Sequence, residues 1–209
     1  MAKINQKTVV LVEKIIEESH SAILKGVGPE ITKIVESHAL GAAAAGLGAG
    51  WIPGVGGTAA LVASAGFVWS MYYRINKEIG ISLSKSILKS VATAIITNLG
   101  ASYVAQLLVS AAFSFIPGLG TIGAAVTTGA VVYATTVVSG LVYLKVIAML
   151  EKSGKNISET SKENMERFAS ETIKSEDFGK ILKDLIAFYK DGRKNGDITG
   201  KEKVDLQNE

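Results

Sequence analysis

The apolar positions of this chain follow three successive patterns, and each predicts a different kind of element. Over residues 4–24, Val9, Val12, Ile16, Ser19 and Ile23 fall on one helical stripe, widened by Leu11 and Ile15. Lys7, Lys14, Glu17 and Glu18 lie off that stripe, so the period is that of an amphipathic helix. Gly26 and Gly28-Pro29 stop it, Pro29 suits the first turn of a following helix, and Glu30 sits beside the positive end of that helix's dipole. Ile31, Ile34, Val35 and His38 then lead into a second pattern that has no polar face at all.

Residues 39–73 and residues 90–144 hold no charged side chain. The two runs share a centre, Ile52-Pro53-Gly54-Val55-Gly56 in the first and Ile116-Pro117-Gly118-Leu119-Gly120 in the second. Proline ends an incoming helix and the glycines admit the positive φ of a tight turn. Each run is therefore expected to be an apolar helical hairpin hinged at Pro53, Gly54 and Gly56, or at Pro117, Gly118 and Gly120. A shift of 64 positions also lays Ala60 on Ala124, Val62 on Val126, Val68 on Val132 and Trp69 on Tyr133, which suggests an internal repeat. The arms of the second unit, Val91 to Ile116 and Leu119 to Leu144, are each about twenty-five residues, enough to cross a bilayer. The leading arm of the first, Ala39 to Ile52, is about fourteen, short for a crossing. Gly46 with Gly50, Ala125 with Gly129, Ala130 with Ala134, and Thr136 with Gly140 repeat a small-xxx-small spacing, which lets helices approach closely in lipid and admits a homo-oligomer.

Between the two runs lies a basic connector, residues 74–89, with Arg74, Lys77, Lys85 and Lys89 against Glu78 and an apolar side of Ile75, Ile79, Leu83, Ile87 and Leu88. Such an element suits an anionic membrane surface, and equally a solvated helix of a soluble bundle. Trp51, Trp69, Tyr72, Tyr73, Arg74, Lys77, Lys85, Lys89 and Lys145 are the expected membrane-interface residues, because aromatic side chains followed by cations mark that boundary. After Leu150 the third pattern begins. Met165, Phe168, Ala169 and Thr172 predict one amphipathic helix; Phe178, Ile181, Leu182, Leu185, Phe188 and Tyr189 predict another, with Asp177 as its N-cap and Gly192 near its end. The tail from Arg193 is polar and expected to fray.

The predicted architecture is all-α, with no run of two-residue alternation. It divides into amphipathic N-terminal helices (1–38), a duplicated apolar hairpin domain (39–150) and a charged helical tail (151–209). Charge sharpens this division. Residues 1–38 carry five basic and five acidic side chains, 39–150 five and one, and 151–209 twelve and thirteen, so the positive balance of the chain, net +3, comes from the apolar middle at +4 against −1 in the tail. That is too sparse for a phosphate-reading surface, and no nucleic-acid partner is expected. The absence of cysteine excludes disulfides, thiolate catalysis and Cys-ligated metals. The amino terminus lacks the long apolar stretch and small-residue cleavage site of a signal peptide.

Candidate chemistry is thin. His20 and His38 have no partner ligands at metal spacing and read as core-edge or surface residues. Gly118-x-Gly120-x-x-Gly123 matches the dinucleotide fingerprint only formally: a helical arm precedes it, and Val137-Val138-Ser139-Gly140 stands where the ribose-binding acid belongs. No phosphate-binding Gly-x-x-x-x-Gly-Lys-Ser/Thr occurs. No catalytic residue, cofactor or metal is expected, and the chain reads as a non-enzyme.

Ile52-Pro53-Gly54, Tyr73-Arg74-Ile75, Gly80-Ile81 and Ile116-Pro117-Gly118-Leu119-Gly120 with its small-residue helix together resemble the YcjF-like bacterial domain family of unknown function, over residues 39–150. The resemblance implies an apolar α-helical domain of inner-membrane-associated proteins, often found behind small GTPase domains. No hydrolase role carries over, since nothing of a GTPase motif stands here. The expected function is a non-enzymatic membrane-associated protein whose hairpins insert in the cytoplasmic membrane. Its termini and connector would lie on the cytoplasmic side, the amphipathic termini offering a docking surface for a protein partner. Two alternatives are a pore-forming, toxin-like protein that inserts on demand, and a soluble all-α bundle with a small-residue core acting as an interaction module.

Overall fold

A computed structural model describes residues 5–48, 56–104, 120–204 and 206. Pro53, Gly54, Pro117, Gly118 and Trp51 lie outside the described residues. The chain is all-α, and among the described residues there is no strand. Seven α-helices are described: α1 (Gln6–Ser19), α2 (Gly28–Gly48), α3 (Gly56–Glu78), α4 (Lys85–Leu99), α5 (Gly120–Lys152), α6 (Lys162–Ser175) and α7 (Phe178–Asn195). A π-helical turn, Gly100–Val104, follows α4, and a 3-10 turn, Ile157–Glu159, precedes α6.

Local chemistry sets the ends. Asn5 caps α1 by accepting the Lys7 N–H at 2.8 Å, Ser84 caps α4, Ser161 caps α6 and Asp177 caps α7, each satisfying an N–H that its helix leaves unpaired. Pro29 and Glu30 stand in the first turn of α2, as the sequence predicts. Gly56 and Gly120, the last glycines of the two Pro-Gly-x-Gly motifs, are each the first residue of a helix.

The centre of the bundle is α5. Every residue from Thr128 to Leu144 is buried, on all faces of the helix. Such a helix can exist in water only if neighbours close around it. Gly46 of α2 faces Val132, and Val35 of α2 faces Gly140, so α2 runs antiparallel to α5. A Cβ at Gly140 would meet Val35 at 3.0 Å, so the hydrogen side chain sets that close approach. Tyr72 of α3 donates to the Ser139 carbonyl at 3.0 Å and Tyr143 to Asn76 Oδ1 at 2.7 Å, so α3 runs parallel to α5. Helices α1, α4, α6 and α7 complete the sheath, turning Val12, Ile15, Leu88, Ile95, Met165, Ile173, Leu182 and Leu185 inward.

Three expectations are corrected by the structure. The face of α1 is turned by one position: Thr8, Val12 and Ile15 are buried, while Val9 and Ile16 are half-buried. Helix α2 passes straight through residue 38, carrying Ile31, Ile34, Val35 and His38 directly into the apolar run. The basic connector is not one element; Arg74 and Lys77 belong to α3, Lys85 and Lys89 to α4, and a short link joins them. Gly192 stands near the end of α7, which reaches Asn195 and turns at Gly196 with φ +83°. The tail does not fray across its described part. Arg193 donates to the Ile198 carbonyl, Glu202 accepts from the N–H and hydroxyl of Thr199, Ile198 packs on Gly192, and Val204 packs on Gly41 of α2.

A Cβ at Gly41 would stand 2.6 Å from Val204 Cγ1. Gly41→Ala is therefore expected to unseat this C-terminal strap while leaving α2 helical, since alanine favours the helix by about 1 kcal/mol over glycine. Tryptic cleavage after Lys201 or Lys203 should accelerate on the order of tenfold, with the helical circular dichroism unchanged.

Candidate functional site

Two arrangements stand out, one on the surface and one in the core. On the surface, Trp69, Tyr73 and Lys77 occupy one stripe of α3 at successive four-residue steps. Trp69 is half-buried, Tyr73 is 41% exposed and Lys77 is exposed. The facing first turns of α4 bring Lys85 and Lys89 to the same ring: their ammonium groups stand 5.3 and 5.1 Å from the Trp69 centroid. Two cations on one indole gain its quadrupole but repel each other, and an anion brought to them relieves that repulsion. With Arg74 against Glu78, residues 69–89 carry a net charge of +3, equal to that of the whole chain. Lys89 also lines an open groove of about 430 Å³ with Ser90, Thr93, Thr97, Asn98 and Glu166.

The other expected interface residues lie elsewhere. Tyr72 is fully buried, stacked on Tyr143 with centroids 3.9 Å apart. Arg74 is half-buried, and Lys145, also half-buried, is ion-paired with Glu176. The structure thus gathers Trp69, Tyr73, Lys77, Lys85 and Lys89 into one patch and removes Tyr72 and Lys145 from it.

In the core, Asn5 Nδ2 donates to the Tyr133 hydroxyl at 3.1 Å, and that hydroxyl donates to Glu36 Oε1 at 2.7 Å. All three residues are buried, and Glu36 Oε2 has no partner. Burial pushes the Glu36 carboxyl above its ordinary value, against the lowering effect of the Tyr133 hydrogen bond. Two positions further along α2, His38 is also fully buried. Its Nδ1–H donates to the Ile34 carbonyl at 2.7 Å, and Nε2 accepts from the Ser70 hydroxyl at 3.4 Å. Burial pushes its pKa down to about 4, with the charge of Arg74 adding to that and the Ile34 bond opposing it.

None of these core groups is legible as special in the sequence. Glu36 and His38 sit where an amphipathic helix becomes apolar, and a polar residue at such a junction is buried once α5 is covered. Sealed from solvent, the Asn5–Tyr133–Glu36 chain has no room for a substrate; what it does chemically is join three helices. Among the described residues no group of three His, Cys, Asp or Glu side chains could hold a metal ion. Asp191, Asn195, Gly196 and Glu202 follow the spacing of a calcium loop. However, Arg193 stands where the loop needs an oxygen donor, α7 stays helical through Asn195, and Glu202 is turned onto Thr199.

Comparison with protein-family models, with curated proteins and with solved structures found no match.

The two titrating core groups act in opposite senses. His38 has a folded pKa below its ordinary 6.5, so its neutral form supports the fold above pH 6.5 and that support is lost as the pH falls toward 4. Glu36 has a raised folded pKa, so its support is present below the ordinary carboxylate range and is lost as the pH rises through the folded value. Denaturant unfolding against pH should show His38→Gln removing up to about 3 kcal/mol of the acid-side loss between pH 6.5 and 4. Glu36→Gln should flatten the loss above the carboxylate range and leave the acid limb in place.

Proposed function

We propose that this chain is a non-enzymatic, membrane-associated helical protein that docks on an anionic bilayer surface, the cytoplasmic face of the cytoplasmic membrane, and carries α5 sheathed in reserve. The observation that carries this reading is the patch of Trp69, Tyr73, Lys77, Lys85 and Lys89. It joins interfacial aromatic rings to cations at the place where the chain's net charge collects. The hydroxyl-lined groove beside Lys89 gives a polar headgroup further partners. Among the described residues α5 has the length and composition to cross a membrane, with 94% of its most apolar stretch buried inside the bundle. The resemblance to YcjF-like domains points to the same setting.

Docking by the patch leaves the sheath closed, so it differs from permanent insertion of the hairpins. The burial of α5 favours a second reading, a water-dwelling bundle that turns the same patch toward an acidic protein surface.

Vesicle co-sedimentation separates the two. The protein is expected to bind phosphatidylglycerol-containing vesicles, to ignore pure phosphatidylcholine and to be released by salt. At about 1 kcal/mol per surface cation, reversing both Lys85→Glu and Lys89→Glu should weaken binding by at least about 30-fold. Absence of binding to anionic vesicles, or equal binding of the double variant, would sink the membrane reading.

A further inference from the structure

Helix α1 is fastened at its two ends by different devices. At its C-terminal end the chain turns at His20, which is left-handed with φ 50°, and runs through an elbow to Gly26 with φ +88°. The carboxylate of Glu151, in the last turn of α5, clamps that elbow. It accepts from the Ser21 hydroxyl and from the N–H groups of Ala22, at 3.0 Å, and Ile23, at 3.3 Å. The start of the helix is held differently. Asn5 uses its oxygen to cap α1 and its amide nitrogen to reach Tyr133, which in turn donates to Glu36. One residue therefore both begins the helix and ties it to α5 and α2.

Between these ends α1 contributes Thr8, Val12 and Ile15 to the core, and its exposed ion pair from Lys7 to Asp184, at 3.7 Å, adds little. The elbow is held by three hydrogen bonds to one carboxylate; at the start, the chain through Tyr133 is joined by the Thr8 hydroxyl and the Asn5 N–H, which also face Glu36. That chain ends on a carboxylate whose second oxygen is buried without a partner. Buried polar groups in this condition are high-stakes: satisfied they fix the packing, and one broken link leaves a charge orphaned.

We infer that α1 is a door on the central helix, hinged at the elbow that Glu151 clamps and latched by the Asn5–Tyr133–Glu36 chain, and that its opening is the first step in uncovering α5 for a bilayer. The second clause rests on the membrane reading above; the door itself does not. Tyr133 is the natural release point because α1 (through Asn5), α2 (through Glu36) and α7 (through Phe188 and Tyr189, with ring centroids 6.2 and 5.3 Å away) all meet on it. Opening of α1 alone exposes one side of Tyr133 and leaves the α2, α3 and α7 walls in place, as expected of a local rather than global transition.

Asn5→Asp tests the latch. The aspartate still caps α1 but has no N–H for Tyr133 and brings a second carboxylate toward Glu36. Hydrogen exchange should show the amides of residues 9–19 speeding up on the order of tenfold, the effect of one lost link, while α3, α5 and α7 keep wild-type protection. Tyr133→Phe should act in the same direction, and Glu36→Gln, which still accepts from Tyr133, should stay near wild type. The latch is overturned if α1 opens no faster than α7, or if every helix opens together. With phosphatidylglycerol vesicles, Asn5→Asp should raise the carbonate-resistant bound fraction several-fold over wild type. Selective opening of α1 with no such rise would overturn the step toward the bilayer while leaving the door, and the salt-sensitive docking measured with the lysine variants, standing.

Discussion

A helix that is apolar on every face has to be enclosed, and the rest of this structure answers to that requirement. From Thr128 to Leu144, α5 presents no side to water, so one partner helix would leave most of its circumference bare. Six of the described helices close around it, and where α2 meets α5 a glycine stands at each end of the contact, Gly46 against Val132 and Gly140 against Val35. Because each sheath helix has α5 on one side and water on the other, each needs a polar face. Charge concentrates accordingly in α1, α6 and α7, whereas residues 39–73, which include much of α2 and α3, hold none.

Enclosure alone would leave α5 free to slide or rotate, since Val, Ala and Thr packing is much the same one turn up or down. Polar ties fix the register. Tyr72 and Tyr143 stack and bind, respectively, Ser139 and Asn76, locking α3 to α5. Tyr133 sets α1 and α2, Glu151 sets the elbow, and Lys145 meets Glu176 before α7 begins. Buried Glu36 and His38 are costly in either protonation state that charges them, so these ties provide specificity more than net stability.

The all-α architecture and the starts of α2 and α7 were legible because they rest on local chemistry: the period of α1, α6 and α7, the cap at Asp177, Pro29 in the first turn of α2. The fate of the apolar runs was not legible in the same way. A span of Val, Ala, Gly and Thr has one composition whether its neighbours are lipid tails or other helices, and only the tertiary arrangement tells them apart. The same limit explains Tyr72 and Tyr73, adjacent and chemically alike. One faces α5 and is sealed in, the other faces out and joins the surface patch. The polar tail was misread because its anchors are single apolar residues, Ile198 on nearby Gly192 and Val204 on Gly41, far away in sequence. Pro53, Gly54, Pro117 and Gly118 lie outside the described residues, and Gly56 and Gly120 are the first residues of α3 and α5.

Moving α5 from the bundle to a bilayer would exchange one dry, apolar surrounding for another for its Val, Ala and Leu side chains, while Tyr133 and Tyr143 would give up their hydrogen bonds to Glu36 and Asn76. A further free-energy difference lies with the sheath. In water, α1, α6 and α7 would be left with bare apolar stripes if α5 departed, and the cost of exposing them holds the bundle shut. On a membrane surface those stripes have somewhere to go, because an amphipathic helix lies stably in the interface with its apolar side down. A docking patch of aromatic and basic residues is therefore more than an anchor in this scheme. On the proposed membrane reading, placing the sheath at a surface that accepts its apolar faces would offset the term that keeps α5 enclosed, and the latch at Tyr133 would be the remaining barrier.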